Sequence, residues 1–346
     1  MKKLLIGIGV LAAIAALVLV IVNTQSGQDF LFKQAATTLL AQAPEPIEDL
    51  QVVICGSASP LGNDPNRAQA CIAVITPEHF FIIDIGARSP LRIAQARLPV
   101  GRLDGVLLTH FHSDHISGLP DVNLASWVQQ RQGALEVYGP PGVELVVNGF
   151  NHAYQLDRKY RTAHHGDELL PAANGMMKAN AITPGETVWS DGEMTVSSFL
   201  VQHPPIVPAV GYRFDYKGRS VVISGDTNAA ESLFSAAKDA DLLLHDALSR
   251  TLLDPMIAAA TENNVQVLPT IMTDVIDYHA DTHTLPDRAK EAGIKLLAFY
   301  HMVPVPAMSI AEDMFLRGLP DDVILVDDLQ RFVLPEGSDA INILEP

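Results

Sequence analysis

Val106-Leu107-Leu108-Thr109-His110-Phe111-His112-Ser113-Asp114-His115 is the stretch on which the reading of this chain turns. It opens as an apolar run with the character of a buried strand, and the run stops at three histidines and an aspartate within six positions. If His110 and His112 are still extended, their side chains share one face, because residues i and i+2 of a strand point the same way. Two imidazoles so placed can grip one metal ion. Asp114 and His115 are neighbours and would diverge on a regular strand; a turn there aims both at a second ion beside the first. Imidazole and carboxylate donors suit zinc or a similar divalent ion, and the lack of a nearby cysteine argues against a thiolate structural site.

The pattern His-x-His-x-Asp-His resembles the signature of the metallo-β-lactamase superfamily at all four fixed positions, and the flanking chain extends the resemblance. Upstream, Phe80-Phe81-Ile82-Ile83 ends in Asp84, and a charge closing so hydrophobic a run needs a partner. The resemblance implies that Asp84 stands behind the metal histidines and fixes ring orientation and tautomer. Downstream, the strand-like Met194 to Val201 ends at His203, and the strand pair Val210 to Tyr216 and Arg219 to Ile223 leads to Ser224-Gly225-Asp226-Thr227. A last strand, Ile294 to Tyr300, ends at His301. The resemblance assigns His110, His112 and His203 to one ion, Asp114, His115 and His301 to a second, and Asp226 as the carboxylate that spans both.

Within that superfamily the ribonuclease Z-like branch is the nearer likeness. It is carried by Cys55-Gly-Ser-Ala-Ser-Pro through Asn66-Arg67 and by Asp241-Leu-Leu-Leu-His245-Asp246-Ala247, where Asp246 stands in place of that branch's glutamate. The shorter side chain leaves the acid–histidine pairing of the branch open. A histidine before the helix-like Asp287 to Ala292 is implied as proton donor to the leaving group: ungapped alignment through Ala289-Lys290-Glu291-Ala292 selects His279, whereas the local Thr-His-Thr selects His283. His279, steadied by Asp246, is preferred, so the expected catalytic set is Asp114, His279 and Asp246. The implied fold is an α/β, αβ/βα four-layer sandwich. The implied chemistry is hydrolysis by a dinuclear, metal-bridged hydroxide, with two divalent ions, zinc first and manganese or iron also acceptable.

Composition bears on the substrate. With 40 Asp+Glu against 23 Lys+Arg the chain carries a net charge of −17, whereas a nucleic-acid enzyme usually carries a basic face for phosphates. No protruding basic arm of the kind found in relatives that process transfer RNA is seen either. Nucleic acid is therefore expected to be a poor substrate, and a small ester (phosphodiester, sulfate ester or lactone) a better one. A ribonuclease Z-like phosphodiesterase or endoribonuclease is the alternative, and a non-catalytic metal-binding protein at a membrane surface is the bland one. A homodimer is left open.

Leu4 to Val22 are nineteen apolar or glycine residues behind Lys2 and Lys3. As a helix they rise roughly 28 Å, close to a bilayer's hydrocarbon thickness, so an N-terminal transmembrane helix is expected. The lysines favour a cytoplasmic N-terminus, which puts the catalytic domain outside the cytoplasm. The rival is a signal segment cleaved to release a secreted protein. Residues 1–24 are thus read as anchor or signal, 25–50 as a tether, and 51–346 as the hydrolase domain. Cys55 and Cys71 are the only cysteines; in an oxidising compartment they could pair, with two buried thiols as the alternative. Around 155–180, Tyr160-Arg161, His164-His165 and Met176-Met177 read either as ordinary solvated residues or as the lid of a cleft. Val323 to Val326 and Arg331 to Leu334 suggest a closing hairpin.

Overall fold

Runs dominated by apolar residues, such as Leu50–Gly56, Cys71–Ile75 and Leu242–Leu248, are buried along their whole length, as strands covered on both faces must be. The computed structural model describes residues 2–41, 46–62 and 64–346, so Asn63 and the Pro44-Glu45 part of the tether lie outside the described residues. In chain order, β1 (Leu50–Gly56), β2 (Cys71–Ile75), β3 (Phe80–Ile83), β4 (Gly105–Leu107), β5 (Leu135–Gly139) and β6 (Met177–Ala181) build one sheet. A second sheet holds β7 (Thr187–Ser190), β8 (Met194–His203), β9 (Ile206–Tyr216), β10 (Arg219–Ile223), β11 (Leu242–Leu248), β12 (Leu296–Val303) and β13 (Ile324–Leu325). The chain then returns to the first sheet as β14 (Arg331–Leu334) and β15 (Asn342–Leu344). The orders are β15-β14-β1-β2-β3-β4-β5-β6 and β13-β12-β11-β10-β9-β8-β7.

Alternation along the strands builds the layers. From β1, Val52 and Ile54 enter a core between the sheets that also holds Phe81, Tyr212, Leu244 and Tyr300. Val53 and Cys55 face the other way, toward Ile93, Val122 and Val147 of the covering helices. On the second sheet's outer face, Val222, Leu243 and Phe299 meet Leu233, Phe234, Leu285 and Phe315. Helix, sheet, sheet, helix is the expected αβ/βα four-layer sandwich.

Cys55, at the register shift where Gly56 pairs with Cys71, has its Cα 4.9 Å from that of Cys71 and forms a disulfide with it. The closing hairpin is corrected: β13 runs parallel to β12 in the second sheet, whereas β14 pairs antiparallel with β1 in the first. Asp327-Asp328 is a passage between sheets and not a turn within one. Arg67, buried in the β1–β2 loop, bonds the Val326 carbonyl and Asp327 there, while Asp328 accepts from the Ser57 and Ala68 backbone N–H groups. The residues around 155–180 fold as a helix, Gln155–His165, and as β6.

The chain divides into two units, Met1–Pro46 and Ile47–Pro346. The first consists of helices Lys2–Asn23 and Gln25–Ala41. Among the described residues no single helix is long and apolar enough to cross a membrane; Ala13–Asn23 and Gln25–Thr38, bent by 85°, satisfy the length and composition only together.

Candidate metal centre

Six strand ends of the second unit deliver the site. After β4 the chain continues through Leu108 to His110 and turns into the short helix Ser113–Ile116. Successive residues of a helix diverge by about 100° instead of the half-turn of a strand, so Asp114 and His115 can serve one point. The turn is packed tightly against the end of β3: the Ile85 N–H donates to the His115 carbonyl at 2.8 Å. A Cβ on Gly86 would lie 2.1 Å from the Asp114 carbonyl oxygen, so only glycine fits there. At the end of β12, a register shift against β11 lets His301 stand out of the ladder with φ 44°, a left-handed conformation held by its surroundings.

The seven residues expected to hold metal converge in two groups that share Asp226. His110, His112, His203 and Asp226 each offer a ligand atom within 4.8 Å of the others, and so do Asp114, His115, Asp226 and His301. In the first group His112 Nδ1 lies 3.0 Å from His110 Nε2 and 3.4 Å from His203 Nε2. In the second, His115 Nε2 lies 3.3 Å from carboxylate oxygens of both Asp114 and Asp226. His301 places Nε2 3.1 Å from Asp114 and Nδ1 3.4 Å from Asp226 Oδ1.

The donor atoms fit a pair of divalent ions. Asp226 Oδ1, His115 Nε2 and His301 Nδ1 are buried without a hydrogen bond, and buried polar atoms left so are rare. The outward-facing nitrogens of His115, His110 and His203 are, by contrast, tied. Asp84 accepts from the Thr109 N–H and hydroxyl and bonds His115 Nδ1, each at 2.8 Å. Thr109 Oγ1 also meets His110 Nδ1 at 3.1 Å, and His203 Nδ1 donates to the Tyr278 carbonyl at 3.2 Å. Each of these rings thus turns its remaining nitrogen inward.

Electrostatics divides the histidines. Burial, reinforced by the neighbouring His115, pushes His110 well below the usual imidazole range, and burial likewise lowers His112 and His203. All three favour the neutral form that ligates metal. For His115 burial acts the same way but is outweighed by Asp226, Asp84 and Asp114, which hold it well above the usual range. Burial opposes ionisation of Asp226, yet His115 and His301 hold its carboxyl well below the usual carboxylate range. This half of the site concentrates negative charge and calls for a cation.

Beside the cluster, His279 Nδ1 bonds Asp246 Oδ2 at 2.7 Å, so the shorter aspartate does reach the histidine. His279 lines a cleft of about 420 Å³ together with His112, Asp114, Asp226 and His301. His283 is exposed and does not line it. His164 and His165 are exposed on their helix, with rings 4.7 Å apart. Sequence reasoning passed over Thr109, which lies inside the quoted motif, and the cleft residues Leu268, Ile271 and Val275, whose i, i+3, i+7 spacing just before His279 was a legible signal.

The model of the beta-lactamase superfamily domain matches residues 82–302. Ribonuclease Z of Mycobacterium sp. (strain KMS) is 31% identical over 293 residues, covering 83% of this chain and 97% of that protein. Ribonuclease Z of Mycobacterium bovis (strain BCG / Pasteur 1173P2) is 32% identical over 258 residues, 74% of this chain and 86% of that one. Human tRNase Z, short form, superposes with a TM-score of 0.57 at 19% identity, covering 82% of this chain and 99% of that one. A diphosphatase from the PhnP family gives 0.58 at 18%, covering 83% and 98%. The likeness to ribonuclease Z over nearly its whole length overturns the expectation that nucleic acid is a poor substrate. That expectation rested on net charge, a sum over the whole surface that does not describe the field at one cleft.

Proposed function

Because the chain belongs to the metallo-β-lactamase superfamily and to its ribonuclease Z-like branch, we propose that this hydrolase is a two-metal phosphodiesterase whose substrates include RNA. One observation carries the reading: two ligand groups sharing Asp226 open into the same cleft as the His279–Asp246 pair. His110, His112 and His203 would hold one ion and Asp114, His115 and His301 the other, with Asp226 within reach of both groups and zinc as the first choice for a site of imidazole and carboxylate. Bound there, two divalent ions supply Lewis acidity and an activated water. Asp84 and Thr109 fix the ligand rings. Asp246 ties up Nδ1 of His279, so the ring has only Nε2 left to meet the substrate, where it gives a proton to the departing oxygen.

Residues 1–24 serve as membrane anchor or signal and 25–46 as tether, ahead of a hydrolase domain that takes in the whole unit Ile47–Pro346, not only 51–346, and lies outside the cytoplasm. The Cys55–Cys71 disulfide supports an oxidising compartment. A second reading, a small ester as substrate, is favoured by the apolar lining of the cleft by Leu61, Leu268, Ile271 and Val303. The test is hydrolysis of bis(4-nitrophenyl) phosphate and of a precursor transfer RNA by zinc-loaded protein, with and without chelator. Metal-dependent cleavage of both is expected. Cleavage of the small diester alone supports the second reading, and cleavage of neither contradicts both.

A further inference from the structure

The helix Leu268–Asp274 packs only one side into the protein. Met272 and, just past the helix, Val275 are buried in a small core with Leu248, Leu253 and Val303. Leu268 and Ile271, spaced i, i+3, share another stripe and line the cleft, which the edge of the buried Val275 also borders. Leu268 and Ile271 are 40% and 46% exposed, apolar surface presented to the mouth of a charged site. Pro60 and Leu61 of the β1–β2 loop and Val303 extend the lining, and no lysine or arginine stands among the described residues that form it. The stripe runs directly into Tyr278 and His279, so it borders the point where the proton is delivered.

We propose that this wall binds an uncharged apolar substituent, alkyl or aryl, carried on the leaving-group oxygen of the ester. The inference deepens the second, small-ester reading and rests on phosphodiester chemistry only in naming that side. In the reaction the P–O bond to the substituent breaks, water supplies the hydroxyl that stays on phosphorus, and the departing oxygen takes its proton from His279. The water's other proton restores the ring. The lining carries no cation to pair with a charged leaving group, whereas every methylene laid on Leu268 and Ile271 leaves water.

The test has a binding arm and a turnover arm, both on the full zinc-loaded chain. Calorimetry with n-alkylphosphonates from methyl to hexyl, which cannot be hydrolysed, should show Kd falling about twofold to fourfold per added methylene. Methyl 4-alkylphenyl phosphodiesters, whose phenols differ little in acidity, should show kcat/KM rising in parallel. The double variant Leu268→Asn, Ile271→Asn should flatten both series, and Leu268→Ala should shallow them if the double variant does not fold. Leu145→Asn, which alters an 81% exposed residue on the helix Val143–Ala153, should keep the slope. Kd independent of chain length in the unaltered protein, or an unchanged slope in the Leu268 variants, overturns the proposal. Length-dependent binding without hydrolysis of any diester leaves the wall standing and sinks the phosphodiesterase reading. Hydrolysis without length dependence does the reverse.

Discussion

Asp84 makes three short contacts, two to Thr109 and one to His115, from a backbone held at φ 53°. Its carboxylate therefore sets both the start of the histidine turn and the orientation of one ring. Asp84→Asn should weaken zinc binding by about 10–100-fold, the usual effect of removing such a partner, as read by competition with a chromogenic chelator; unaltered affinity would show that His115 needs no orienting. His279→Ala should lower kcat far more for diesters with poor leaving groups than for nitrophenyl esters, because a good leaving group departs without a proton. Equal losses on both would count against proton donation. Away from the site, burial works against ionisation of Asp241, but Arg219, the Ser220 N–H and Lys295 hold its carboxyl below the usual range. A depressed folded pKa gives stability that is present above the unfolded value of about 3.9 and lost as pH falls through the folded one. Asp241→Asn should thus lower the urea midpoint at neutral pH, with the gap closing below about pH 4; a gap that stays constant would exclude this ion pair as its source.

At the scale of elements, strand ends were legible because an apolar run that stops at a charge leaves few alternatives. Asp84, His110, His203, Asp226, Asp246 and His301 all follow such runs. The helix Gln155–His165 was not legible: of its side chains only Arg158 is buried, so it lacks the wide apolar stripe that marks a helix. The last strands misled for another reason. A short polar link between two apolar runs has the local form of a hairpin, and only Arg67 and Asp328, held across more than two hundred residues, show that it joins two sheets. Gly225, at φ 64° and with space for no Cβ beside Thr109, likewise has a role visible only in three dimensions. The disulfide fastens β1 to β2 just before the loop that borders the cleft. Its removal in Cys55→Ala, Cys71→Ala should cost about 2–4 kcal/mol in denaturant unfolding, and a change within error would mean that the sheet pairing alone fixes this loop.

For the whole molecule, a net charge of −17 and a centre that gathers carboxylates are separate quantities, one a sum over the chain and the other a local field. Net charge misdirected the expectation about nucleic acid, whereas Asp84, Asp114 and Asp226 gathered around His115 make a local field that suits a cation whatever the sum over the chain. Seven side chains drawn from residues 110 to 301 can meet only because two sheets present their strand ends on one rim. Metal content tests this most directly. Full chain loaded with zinc, freed of excess metal and analysed for zinc per protein should hold two ions, and Asp226→Asn, which touches both groups, should hold one or none. Protein that retains no zinc, or an Asp226→Asn variant that still holds two ions as tightly, would contradict the shared centre.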